Sequence, residues 1–185
     1  MSNEYKDWAK DRIEEEKQII AKYPFLRLRN IDGTINTESK FPMIGLDIPQ
    51  GWNKLFFQMC SDLKPVLERE GNLETFYFIQ VKEKYNTLRC YHCGCSQEVQ
   101  NILDKYEQMA RFVCTHCGRP ATCETQGYIA SFCDDCWKDR HRHERVEWIT
   151  FRPYYEITRI YEENSFVTRL FFEKEWNRYI EKILK

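Results

Sequence analysis

The 185-residue chain has no apolar run long enough to cross a bilayer, and its opening residues, Met1-Ser2-Asn3-Glu4-Tyr5-Lys6-Asp7-Trp8, lack the apolar stretch of a secretory signal. Both absences lead to the expectation of a cytoplasmic protein with no membrane partner. Net charge is also missing. The 28 basic and 29 acidic side chains leave a formal charge of −1, so the molecule has no overall basic field to drive non-specific nucleic-acid binding. There is no internal repeat, low-complexity segment, Walker-type loop, Gly-x-Ser-x-Gly elbow or catalytic triad. These absences disfavour repeat architectures, P-loop nucleotide enzymes and serine hydrolases.

Cysteine and aromatic residues are abundant. Aromatic side chains make up 15% of the chain, enough for a dense core or an adhesive binding face. Nine cysteines is an odd number, and without a secretory signal a disulfide framework is not expected. Eight of the nine, and all four histidines (His92, His116, His141, His143), fall between Cys90 and His143, which places metal chemistry at the centre of the chain. Cys60 stands apart and reads as a small buried apolar residue.

Helical spacing of Tyr5, Trp8, Ala9, Ile13, Ile19 and Ile20 predicts a first helix stopped by Pro24. Phe25 to Ile35 reads as a short hairpin around Asp32-Gly33. A second helix carries Trp52, Leu55, Phe56, Met59, Leu63, Val66 and Leu67 on one stripe and stops at Gly71, with a kink or split expected at Pro65. Phe76 to Lys82 and Leu88 to Tyr91 form an antiparallel pair with a turn near Tyr85-Asn86-Thr87. Ser96 opens a third helix with Val99, Ile102, Leu103, Tyr106 and Met109 on its apolar face. Strands are expected over Val146 to Phe151, Tyr155 to Tyr161 and Phe166 to Phe172, and a last helix presents Trp176, Tyr179, Ile180, Ile183 and Leu184 on one face. Because βαβ alternation is absent, the expected class is α+β. The expected organisation is an N-terminal helix and hairpin (1–40), a hairpin-and-helix core (41–112), an inserted treble-clef-like four-cysteine zinc module (113–145) and a C-terminal strand/helix extension (146–185).

The strongest chemical signal is Cys114-x-x-Cys117 followed fifteen residues later by Cys133-x-x-Cys136, a spacing that fits one four-cysteine zinc ion. Gly118 suits the tight turn of a zinc knuckle. A hairpin around Gln126-Gly127 separates the ligand pairs, and the second pair opens a helix running through Trp137 towards Arg145. Four thiolates leave no open position, so this Zn2+ is expected to be structural, not catalytic. Cys90, His92, Cys93 and Cys95 form a second, incomplete candidate metal set, with strand cysteines followed by a glycine turn as the alternative.

Candidate binding residues are Lys82, Lys84 and Arg89 near the hairpin tip, together with Lys138, Arg140, Arg142 and Arg145 in a run interrupted by acidic residues. His141 and His143, two residues apart, point to different helix faces and do not share a metal.

Three segments carry a resemblance: Pro49-Gln50-Gly51-Trp52; Gln80-Val81-Lys82-Glu83-Lys84-Tyr85-Asn86-Thr87-Leu88-Arg89-Cys90-Tyr91; and Cys114-x-x-Cys117-Gly118 with Gly127-Tyr128 and Cys133-x-x-Cys136. Together they resemble small zinc proteins encoded by phages and prophages, over roughly residues 41–137. Tyr85-Asn86 replaces the Phe-Gly that such proteins tend to carry at the tip, and Cys90 replaces an aromatic residue. The resemblance implies a zinc module and a phage-type setting. The expected function is non-enzymatic binding of a host or phage protein, with inhibition of a host defence complex as an extension. Nucleic-acid binding through the basic residues is the alternative. A zinc-flanked nuclease is disfavoured because residues 118–132 offer only Glu124 for metal and water chemistry.

Overall fold

The computed structural model describes residues 3–125, 128–140 and 149–151. The chain is mixed α+β and forms two compact units, interleaved in sequence: residues 1–47, 59–82 and 89–103 in one, and residues 48–58, 83–88 and 104–185 in the other.

In the first unit, helix α1 (Asn3–Lys22) ends before Pro24, as expected. Glu16 on this helix is 4% exposed yet satisfied: it accepts from Arg12 Nε at 2.9 Å and from the Met43 amide at 3.2 Å. These contacts tie α1 to the loop around residue 43. Pro24–Leu26 is a single 3-10 turn. The hairpin expected over Phe25 to Ile35 is reduced to the lone bridge Arg29↔Ile35, while Arg27 bridges to Met43 instead. Asp32 Oδ1 accepts from the Thr34 amide and hydroxyl and so builds a local turn, which competes with strand pairing. Strand β1 (Leu46–Asp47) pairs in parallel with β2 (Phe78–Lys84), with Leu46 opposite Val81. Phe25, Phe76 and Phe78 pack edge to face with centroids 5.3–6.0 Å apart. Leu63, Leu67 and Cys60 in the second half of helix α2 (Asn53–Arg69) are buried in the same unit.

Pro65 neither ends nor splits α2, which runs on to Arg69. Burial of Leu63, Val66 and Leu67 on both sides of the proline offsets the missing backbone hydrogen bond. Strand β3 (Thr87–His92) follows β2 through the two-residue turn Tyr85-Asn86, whose φ angles of 53° and 59° are those of a type I′ hairpin turn. Ser96 caps helix α3 (Gln97–Ala110), its Oγ accepting from the Val99 amide at 3.2 Å.

The second unit holds strand β4 (Cys123–Thr125), strand β5 (Ser131–Phe132), helix α4 (Asp134–Arg140) and strand β6 (Ile149–Phe151). Strand β4 is central, antiparallel to both β5 and β6. The strands expected after residue 151, the last helix and the turn at Gln126-Gly127 lie outside the described residues.

Two contacts lock this unit. Gly51 donates its amide to Thr115 O at 2.9 Å, and fully buried Trp52 donates Nε1 to Val113 O at 3.1 Å. A β-carbon on Gly51 would stand 2.1 Å from Cys114 O and 2.8 Å from Gly118 N, so only glycine fits there. Asn86 is 0% exposed and donates Nδ2 to Ser131 Oγ at 2.6 Å and to Glu124 Oε2 at 3.2 Å, while Ser131 Oγ donates to Arg111 O.

Gly51→Ala should therefore destabilise the protein by about 3 kcal/mol, since the clash is with backbone that cannot rotate away. Gly45→Ala, where no atom lies within 4 Å of the new β-carbon, should change stability by less than about 0.5 kcal/mol. Urea unfolding of the two variants measures the difference. Asn86→Ala strips one buried and one part-buried hydrogen bond and puts a residue less tolerant of positive φ in the turn, so a loss of about 2 kcal/mol is expected in the same assay.

Candidate metal centre

The centre begins with a backbone turn. Cys114 donates its amide to Arg119 O at 2.8 Å, Gly118 returns an amide to Cys114 O at 3.0 Å, and Gly118 sits at φ 76°, so Cys114 and Cys117 are brought onto one side of a tight knuckle. Strand β5 supports the knuckle, because the Thr115 amide and hydroxyl both donate to Ser131 O. The same strand delivers Cys133 at the start of α4, where the Trp137 amide donates to Cys133 O, and Cys136 follows one turn later.

The four sulfurs converge. All lie within 4.8 Å of one another, and Cys117 Sγ and Cys133 Sγ are 3.6 Å apart. A tetrahedral ion with metal–sulfur bonds of about 2.3 Å needs sulfurs about 3.8 Å apart, so the donor set fits such an ion. None of the nine cysteines forms a disulfide.

The thiols differ in acidity. Burial pushes Cys114 up, against the backbone amides of Cys117, Cys133 and His116 that favour its thiolate. Burial, then the Cys117 and Cys133 thiols, pushes Cys136 up. Burial opposes ionisation of Cys117 as well, but the Arg119 side chain and amide and the Cys136 and Cys114 thiols outweigh it, and its pKa falls to about 6. Arg119 Nε lies 3.4 Å from Cys117 Sγ, and the same guanidinium bridges to Asp135 at 2.8 Å. Cys123 packs in the same apolar cluster with Cys114, Phe132 and Cys133, and burial followed by the charge of Asp134 raises its pKa to about 11. It is a neutral buried thiol beside the four, not one of them.

The remaining candidates lie outside this four-cysteine cluster. Cys90 is half-buried in β3, and its charge helps raise the pKa of Cys60 after burial. Cys93 and Cys95 are exposed, and His92 Nε2 lies 4.0 Å from Cys95 Sγ. Lys82 stands over the Tyr91 ring and Lys84 over the Tyr85 ring, while Arg89 is half-buried in β3. Lys138 is exposed on α4, Arg140 ends that helix, and Arg142 and Arg145 lie outside the described residues. Spacing alone did not mark Arg119, Ser131 or the supporting role of Asn86. An arginine two residues past the second knuckle cysteine is the one local signal that points to a thiolate partner.

No helix among the described residues is long and apolar enough to cross a membrane. No family model, curated protein or solved structure matches the chain.

Metal uptake should be strongly proton-linked. Cys114 and Cys136, both held above the ordinary thiol range, must each lose a proton to bind, so affinity should fall at least about hundredfold per unit as pH drops through neutrality. Competition with a chromogenic chelator at several pH values reads this slope. Arg119→Ala returns the Cys117 pKa towards its ordinary value and should steepen the slope near pH 7 by up to one further proton per ion.

Proposed function

We propose that the chain is a non-enzymatic binding protein in which a structural zinc ion, held by Cys114, Cys117, Cys133 and Cys136, stiffens a face that engages a partner protein. An all-thiolate set with no open position suits structural zinc and leaves no place for water activation. The order of knuckle, hairpin and helix supports a treble-clef-like reading of the module. One observation carries the binding role: Tyr85 at the hairpin tip and Tyr128 near β5 are 72% and 79% exposed, and both belong to the unit that holds the cysteines. Glu83 joins them, giving its carboxylate to the Asn86 amide at 2.7 Å and to the Tyr128 hydroxyl at 3.4 Å. Large aromatics presented on a rigid support are the residues that anchor protein interfaces.

The resemblance to phage and prophage zinc proteins suggests the setting: a cytoplasmic partner of host or phage origin, a host defence complex among the candidates. Nucleic acid is the second reading, favoured by the stacking of Lys84 on Tyr85, a pairing that also suits single-stranded bases.

Affinity capture from host lysate, with and without nuclease, separates the two. The protein reading expects a partner whose recovery survives nuclease and drops at least tenfold for the Tyr85→Ala/Tyr128→Ala double variant. Recovery that vanishes with nuclease transfers the assignment to nucleic acid, and recovery indifferent to both tyrosines removes this face from either role.

A further inference from the structure

We propose a second metal site in the first unit, formed by the thiolates of Cys93 and Cys95 and the carboxylate of Glu70 around one small cavity. The cavity holds about 110 Å³ and is lined by Glu70, Cys93, Gly94 and Cys95, with Leu67 and Phe76 as apolar wall. Glu70 uses only half of its carboxylate: Oε1 accepts from Ser96 Oγ at 2.7 Å, whereas Oε2 is buried with no hydrogen-bond partner among the described residues. A buried carboxylate oxygen without a donor is costly, and a cation in the adjoining cavity removes that cost.

The sulfur side is prepared in the same way. Cys93 Sγ accepts from the Tyr77 amide at 3.3 Å, the kind of backbone support that metal-bound thiolates receive. Gly94, at φ +109°, makes the reversal between the two cysteines in a conformation closed to other residues. His92 stands outside the ligand set. Its Nδ1 accepts from the Gly94 amide at 3.2 Å, so the neutral ring carries its proton on Nε2, which lies 4.0 Å from Cys95 Sγ. That places His92 as a donor to the Cys95 thiolate, with its ring held against Phe76 at 5.7 Å.

These donors are not drawn together within 4.8 Å as the four-cysteine set is. Both cysteines are exposed on a turn, so a small side-chain adjustment that keeps the Tyr77 and His92 contacts closes the site on an ion. Two thiolates and one carboxylate select a thiophilic divalent ion of the zinc or cadmium class over magnesium or calcium. Uptake breaks two S–H bonds, forms two metal–sulfur bonds and releases two protons to solvent. With fewer sulfurs than the four-cysteine centre, this site binds more weakly and exchanges first.

The full chain, reduced and loaded with excess zinc, is desalted and its metal content measured by elemental analysis and native mass spectrometry. Two equivalents are expected, one of them removed first by a weak chelator. Cys93→Ser/Cys95→Ser should retain one equivalent, which also reports that the four-cysteine centre and its fold are intact. Loading with cadmium should show a sulfur-to-metal ultraviolet absorption about a third lower in that double variant, as six thiolates become four. Glu70→Gln should weaken the second equivalent at least tenfold. A wild-type content of one equivalent, a second equivalent that survives the double serine variant, or an affinity unmoved by Glu70→Gln each overturns the site.

Discussion

Four sulfurs lie within 4.8 Å of one another, a crowding that an ion bound between them would relieve. If all are thiolates, four negative charges meet in a partly buried apolar cluster. The acidities record this tension: burial drives Cys114 and Cys136 away from ionisation while Arg119 draws Cys117 towards it. A divalent cation bound there would resolve the conflict by supplying the charge that burial withholds. Binding of such an ion would be coupled to folding of the surrounding residues in one free-energy change.

The knuckle does more than hold ligands, because its outer surface is the seat of the Pro49-Gln50-Gly51-Trp52 turn. Gly51 comes so near Cys114 O and Gly118 N that no side chain fits between, and Trp52 closes the contact through its indole N–H. The turn thereby satisfies the carbonyls of Val113 and Thr115. The ligand loop is braced on one side by this turn and on the other by the Thr115 contacts to β5.

How much of this was legible in the sequence depends on the range of the interaction concerned. The four ligands stood out because metal geometry constrains residues only a few positions apart, and Gly118 and the Ser96 cap stood out for the same local reason. The parallel pairing of Leu46 with Val81 did not, since a two-residue strand carries no periodicity. The hairpin expected around Asp32-Gly33 shrank to one bridge because Asp32 satisfies Thr34 directly, a side-chain choice that alternation of apolar residues does not encode. At Pro65 a local rule yielded to burial of the helix on both sides. Asn86 was read correctly as a turn residue, but nothing local signals that its amide is buried against Ser131, 45 positions away.

That buried amide bears on how the tip is held. Tyr85 and Asn86 both occupy left-handed backbone at φ 53° and 59°, a conformation that costs a non-glycine residue roughly 1 kcal/mol each. Glycine at the second position would relieve half of that cost but would forfeit the bonds to Ser131 and Glu124. Asparagine tolerates the conformation better than most residues and keeps those bonds. Ser131 is in turn fixed by Arg111 O and by the Thr115 bonds to its carbonyl, so the tip is anchored on the strand that leads into Cys133. The strained turn that presents Tyr85 is stable only while β5 is held, and β5 is held where the sulfurs meet. The four-cysteine cluster and the exposed tyrosine are thus joined within one unit through the Thr115–Ser131 and Ser131–Asn86 contacts.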